Sequence, residues 1–211
     1  MSVLDTLGSH RIVPVVVLER AADADPLAAA LVAGGLPVAE VTFRTAAAPE
    51  AIAIMASRGD LIVGAGTVLT PEQVDRAANA GATYIVSPGT SVAVVERALE
   101  RGLAVLPGAV TATEIQAALD LGLDTVKFFP AGTSGGPAAI RALAAPFGGL
   151  RFVPTGGVSQ ANLAEYLAVD AVLAVGGSWM VPAAAIRQGD FATIERLTAQ
   201  AVASLPGGVS A

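Results

Sequence analysis

Cysteine is absent from this chain, and with it go disulfides, zinc–thiolate sites and thiol nucleophiles. Histidine occurs once, at His10, so a His-rich metal site or a Ser-His-Asp triad would have to use that residue. His10 lies between Ser9 and Arg11, ahead of the first apolar run, and reads more readily as a polar surface residue than as a catalytic one. Charge is scarce as well. Charged residues are 14% of the chain, against about a quarter in ordinary soluble domains. Hydrophobic residues make up 54%, so a large core is expected, together with some surface buried against copies of the same chain. No apolar run reaches the roughly 18 residues that span a bilayer. The opening MSVLDTLGSH lacks the basic-then-apolar order of a secretory signal, and the expected location is cytoplasmic. The net charge is −6 and the basic residues do not cluster, which argues against nucleic acid or an anionic membrane as partner.

What the chain does have is a repeating pattern. Short β-branched runs alternate with amphipathic stretches rich in Ala, Glu and Arg. The runs are Ile12–Leu18, Val38–Phe43, Leu61–Val63, Tyr84–Val86, Ala104–Leu106, Thr125–Phe129, Arg151–Val153 and Ala171–Val175, each read as a buried strand. Thr70-Pro71-Glu72 opens one helix, with Thr as N-cap and Pro at the first helical position. Glycines close several others, at Gly34-Gly35, Gly59, Gly81, Gly102 and Gly122. Strand–helix units without a linker predict an α/β fold in one domain, 1–211, a (β/α)₈ TIM barrel with an extra N-terminal helix at Ser2–Gly8. An open doubly wound sheet is the alternative. Asp190–Leu205 is the expected last helix, and Pro206-Gly207-Gly208 the start of a frayed tail.

In a barrel the chemistry gathers where strands end, and here those ends carry small residues and hydroxyls. Lys127 stands out because it is the only lysine beside eleven arginines. Arginine cannot form an imine, whereas a desolvated lysine can lose its proton and attack a carbonyl. Thr125, Lys127 and Phe129 share one face of their strand. Phenylalanines on either side would keep the amine dry, which favours its neutral form. The plainer reading is a packed stem whose head reaches solvent. Glu40, Thr42 and Arg44 also share a face. A carboxylate on the inner face of a barrel strand is costly unless paired or functional, and Glu40 is the candidate proton shuttle. Arg44, nearer the mouth, can grip a carboxylate through two parallel hydrogen bonds. A purely structural Glu40–Arg44 ion pair is the alternative. Gly156-Gly157 and Gly176-Gly177-Ser178 follow the last two strands, where barrels often bind phosphate through backbone N–H groups and a short helix. Ser178–Val181 is the expected helical turn, stopped by Pro182; glycine pairs that serve only as turns are the alternative. Thr67, after Gly64-Ala65-Gly66, is either a carboxylate-binding hydroxyl or a helix cap.

Taken together, Val13-Pro14-Val15-Val16, Glu40-Val41-Thr42-Phe43-Arg44-Thr45, Gly64-Ala65-Gly66-Thr67-Val68-Leu69, Ser87-Pro88-Gly89, Lys127-Phe128-Phe129-Pro130-Ala131, Pro154-Thr155-Gly156-Gly157-Val158 and Gly176-Gly177-Ser178-Trp179 resemble, in order, the 2-keto-3-deoxy-6-phosphogluconate (KDPG) and 4-hydroxy-2-oxoglutarate aldolase family. The lysine segment and the Gly-Gly-Ser-Trp segment together are the specific part. The resemblance implies a metal-independent class I aldolase of the Entner–Doudoroff pathway, without a cofactor and usually a homotrimer, that cleaves a phosphorylated keto acid to pyruvate and glyceraldehyde 3-phosphate. It assigns the Schiff base to Lys127 and proton transfer to Glu40. It gives the pyruvate carboxylate to Arg44 and Thr67, and pocket shape to Phe129 and Pro88. Phosphate falls to Gly156, Gly157, Gly177 and Ser178, with Thr155 near the sugar hydroxyls. Close relatives acting on the galactonate epimer or on 4-hydroxy-2-oxoglutarate are alternative substrates, and a sugar-phosphate isomerase without a Schiff base is the alternative chemistry.

Overall fold

A computed structural model describes residues 2–205, so the glycine-containing tail lies outside the described residues. A helix, α1 (Val3–His10), precedes the first strand. Ser2 caps it by accepting from the Asp5 N–H, and the Asp5 carboxylate answers the Ser2 N–H. Strands and helices then alternate: β1 Ile12–Val16, α2 Ala24–Ala33, β2 Val38–Thr42, α3 Ala48–Arg58, β3 Ile62–Gly66, α4 Pro71–Asn79, β4 Tyr84–Val86, α5 Val92–Glu100, β5 Ala104–Leu106, α6 Ala112–Asp120, β6 Thr125–Phe128, α7 Gly136–Ala144, β7 Arg151–Pro154, α8 Leu163–Leu167, β8 Val175–Gly177, α9 Ala183–Gln188 and α10 Phe191–Ala203. Local chemistry sets the helix ends. Thr70 accepts from the Gln73 N–H at 3.3 Å, with Pro71 behind it. Gly59 closes α3 at φ 71°, a left-handed conformation that glycine adopts without steric cost.

Six strands form one parallel sheet in the order β5-β4-β3-β2-β1-β8, and β6 pairs with β7. The first and last strands are therefore neighbours, with Val13 beside Gly176. Such pairing curls the sheet, and an open doubly wound sheet does not produce it. Isolated bridges Gly108↔Lys127 and Thr155↔Gly176 link the two sheets at both edges.

Tyr84–Val86 and Ala104–Leu106 match the sequence reading, four other strands end one or two residues away from it, and the two that differ most do so for one reason. β3 runs on through Gly64 and Gly66, and the last strand is Val175–Gly177 rather than Ala171–Val175. Glycines taken as strand ends are strand residues whose missing side chains are replaced by neighbours. Tyr84 lies over Gly64, Glu40 over Gly66, and Thr155 over Gly176. Upstream, the Val172 N–H donates to Val169 O in a turn, leaving Val172 only a bridge to Phe152.

Alternation along the strands divides the core. Ala39 and Val41 of β2 join the large cluster under the surrounding helices, with Ile52, Met55, Val63, Ile85 and Phe152. Val38, on the other face, joins Leu7, Val13, Tyr84, Val86, Leu106, Val153 and Ala174 in a second, interior cluster. Leu7 brings α1 into it, so the N-terminal helix covers one end of the strands. Burying side chains of this size contributes about 1.5–3 kcal/mol each.

Candidate active site

Above that interior cluster the strand residues become polar. β6 is held at Lys127 by the segment that follows β5: the Lys127 N–H donates to Pro107 O at 2.8 Å and its carbonyl accepts from the Ala109 N–H at 2.9 Å. The side chain is buried. Lys127 is 5% exposed, and its Nζ lies 3.2 Å from Oε1 of Glu40, itself 3% exposed. A structural Glu40–Arg44 pair is thus not what forms; the carboxylate faces the lysine. Two glycine-made spaces allow this. The Glu40 carboxylate fills the position where a Gly66 side chain would lie, and the Tyr84 ring does the same at Gly64. Below, the Tyr84 hydroxyl donates to Ala39 O at 2.9 Å. Burial, followed by the nearby Glu40 charge, pushes the Tyr84 hydroxyl well above its ordinary range, so it stays a donor. The Phe129 ring covers the lysine from the other side, its centroid 5.3 Å from Nζ.

Next to this pair opens a cavity of about 340 Å³, lined by Val15, Val17, Arg44, Phe129, Thr155, Gly156, Gly157, Val158, Gly177 and Ser178. It gathers Arg44, Phe129, Thr155, Gly156, Gly157, Gly177 and Ser178 from four different strand ends. Thr67 joins through Arg44, whose Nε donates to Thr67 Oγ1 at 3.3 Å. Thr67 sits at φ 57°, a conformation rare for a β-branched residue. It does not cap α4, because Thr70 does. Among the described residues, neither the Gly157 nor the Ser178 N–H donates to a backbone carbonyl. Ser178–Val181 is a single turn closed by Val181 N–H to Ser178 O at 3.1 Å, not a helix; Pro182 holds extended geometry and the helix begins at Ala183. Any anion bound here therefore meets loop amides instead of a helix end.

Pro88 is apart from the others. It lines a neighbouring depression with Val68, Leu69, Ser87, Gly89, Thr90 and Ser91, not the 340 Å³ cavity. His10 stands at the opposite end of the strands, beside Pro37, Asp60 and Ile62. The sequence reading missed Val15, Val17 and Val158 as cavity walls. Their only signal is position: Val13, Val15 and Val17 alternate along the first run, and the last two lie beyond the interior cluster.

A buried amine, a facing carboxylate and a nearby cavity with free loop amides are features that carbonyl chemistry on an anionic compound can use. Aldolases are among the solved structures that share this fold. One is the 2-keto-3-deoxy-6-phosphogluconate aldolase of Zymomonas mobilis ZM4 with 3-phosphoglycerate, which superimposes with a TM-score of 0.90 at 43% identity, covering 99% of each chain. Another is KDPG aldolase from Legionella pneumophila with pyruvate captured at low pH as a covalent carbinolamine intermediate, with a TM-score of 0.90 at 36% identity over 94% of this chain and 97% of that one. In sequence, the chain is 51% identical over 201 residues to the 2-dehydro-3-deoxy-phosphogluconate aldolase of Treponema pallidum, covering 95% of this chain and 96% of that protein. The family model for KDPG and KHG aldolase matches residues 3–197. This chain belongs to the KDPG and KHG aldolase family.

Proposed function

We propose that this chain is a class I aldolase that cleaves 2-keto-3-deoxy-6-phosphogluconate to pyruvate and glyceraldehyde 3-phosphate. Its amine is Lys127 and its proton carrier Glu40. The reading extends to a single (β/α)₈-barrel domain, 1–211, with α1 as the extra helix. The β1–β8 pairing and the bridges from Lys127 and Gly176 support it. It further includes a cytoplasmic, metal-independent enzyme assembled as a homotrimer, as the family resemblance implies. Among the described residues no helix is long and apolar enough to cross a membrane. Leu69 and Val92, 56% and 52% exposed beside the Pro88 depression, are the kind of surface an assembly covers.

The observation that carries the proposal is the buried 3.2 Å contact between Nζ and Oε1. Through it Glu40 accepts a proton from the Lys127 ammonium, which leaves a neutral amine. The amine adds to the C2 carbonyl of the substrate. Glu40 gives that proton to the departing hydroxyl, so loss of water from the carbinolamine yields a protonated imine and returns Glu40 to a carboxylate. Glu40, directly or through a water, takes the proton of the C4 hydroxyl, and the C3–C4 electron pair moves into the iminium as that bond breaks. Glyceraldehyde 3-phosphate leaves. The remaining enamine is protonated at C3, and water hydrolyses the resulting imine to pyruvate and free Lys127. The iminium takes up the electron pair that a metal ion would otherwise stabilise, so the reaction requires none. Arg44, with Thr67, holds the substrate carboxylate; Gly156, Gly157, Gly177 and Ser178 hold the phosphate. Phe129 and Pro88 bound the pocket, and Thr155 meets the hydroxyls.

The test is pyruvate release from the gluconate and galactonate phosphates side by side, with and without EDTA. Faster turnover of the gluconate substrate, unaffected by EDTA, is expected. No pyruvate from either epimer would contradict the proposal.

A further inference from the structure

We infer that Trp179 is a positioning residue that sets the affinity for the phosphate group of the substrate without touching it. The inference rests on the reading of Gly177 and Ser178 as phosphate ligands. Gly177 ends β8 and lines the cavity. On its side-chain face stands the six-membered ring of Trp179, two residues on, in the space a Cβ would occupy. The other side of the indole packs against the main core cluster. Gly177 is thus fixed from several directions: by Pro14 of β1 through the strand register, by Thr155 against its neighbour Gly176, and by the indole. Gly177 also faces the cavity. The turn that carries Trp179 back under Gly177 is closed by Val181 N–H to Ser178 O at 3.1 Å, which ties the Ser178 peptide to the position of the ring.

One detail separates shape from hydrogen bonding. The indole Nε1 is buried and has no hydrogen-bond partner among the described residues. Burying an unpaired donor is unfavourable. What the position draws from tryptophan is therefore a broad flat ring, and phenylalanine supplies much of the same surface without the orphan donor. Glycine at 177 and an aromatic ring at 179 act as one unit: the first makes room and the second occupies it.

The experiment compares wild type, Trp179→Phe, Trp179→Leu and Trp179→Ala, using the phosphorylated keto acid and its unphosphorylated counterpart. For the Ala and Leu variants we expect KM for the phosphorylated substrate to rise about tenfold, the size of a weakened set of charge-assisted hydrogen bonds. Their kcat, and borohydride trapping of pyruvate on Lys127, should stay within about twofold. Trp179→Phe should behave as wild type. Because Trp179 is the only tryptophan, its emission in the wild-type protein should shift saturably on titration with inorganic phosphate. If Trp179→Phe loses affinity as fully as Trp179→Ala, the N–H is what matters and the inference is wrong. Equal losses with phosphorylated and unphosphorylated substrates, or loss of pyruvate trapping, would reduce Trp179 to a general structural role and overturn it as well. Should Trp179→Ala fail to fold, Trp179→Leu carries the comparison, since it fills core volume yet leaves the Gly177 face bare. A wild-type protein that shows no preference for the phosphorylated substrate and no inhibition by inorganic phosphate would instead remove the phosphate reading itself, whatever the variants do.

Discussion

At one end of the strands the interior is sealed; at the other it is left open. The sealed end holds Leu7, Val13, Val38, Tyr84, Val86, Leu106, Val153 and Ala174, all less than 5% exposed. There Arg11 donates to three carbonyls, Val172 and Leu173 at 3.1 Å and Leu167 at 3.2 Å, tying α1 to α8 and to the approach to β8. At the open end glycine, threonine, lysine and glutamate stand beside the inward valines Val15 and Val17, and a cavity of about 340 Å³ opens there. Between the two lies Tyr84, apolar ring downward in the cluster and hydroxyl bonded to the strand that carries Glu40. The closed end buries apolar side chains, and the costly buried pair is carried by the other. Substitutions on the two levels should therefore separate activity from stability.

The largest separation is expected at Glu40→Gln. It removes the proton carrier while keeping the shape, so kcat should fall about 100- to 10,000-fold in a steady-state assay while the far-ultraviolet circular dichroism is unchanged. Gly66→Ala should show a mixed effect, because its methyl would overlap the Glu40 carboxylate. Displacing that group in a packed interior should cost about 1–3 kcal/mol by urea denaturation and lower kcat more than it raises KM. Arg11→Met tests the sealed end alone. Losing the charged donor to three carbonyls should cost about 2 kcal/mol in the same denaturation experiment, with kcat and KM unchanged. The smallest effect is expected at His10. Burial holds the folded imidazole below its ordinary value of 6.5. As pH falls below about 6.5 the unfolded chain therefore binds a proton before the folded one, and stability drops. Above that pH the contribution is constant. His10→Gln should flatten the fall in melting temperature between pH 7 and pH 5 and leave turnover at pH 7.5 unchanged. A steeper fall in the variant would mean that the charged imidazole is favoured where it lies.

How much of this the sequence discloses depends on whether a residue acts through its own side chain or through a neighbour's. Strands built from β-branched runs, such as Tyr84–Val86 and Ala104–Leu106, are legible to the residue, because their burial needs nothing from elsewhere. The helix opening at Thr70-Pro71 is legible for the same reason. Lys127 is conspicuous by its rarity, and its alternation with Thr125 and Phe129 places it on the inner face. Gly64, Gly66, Gly176 and Gly177 are not legible in this way. Each looks like a strand terminator until Tyr84, Glu40, Thr155 and Trp179 are seen to occupy the space that it leaves. The partner of Glu40 was also beyond local patterning. Arg44 shares its strand face, but Lys127 is 87 residues away and meets it only because the sheet curls. The separation of Pro88 from the main cavity follows from the same kind of long-range geometry.

The central claim is that the Lys127 amine, buried beside Glu40, condenses with a ketone. Pyruvate and sodium borohydride added together to the protein test it directly, followed by peptide mass spectrometry. Lys127 is the only lysine, so the N-terminal amine is the single competitor. A reduced pyruvate adduct on the peptide containing Lys127, absent in Lys127→Arg along with turnover, is the expected result. An unmodified Lys127 peptide from protein that still makes pyruvate would contradict the account.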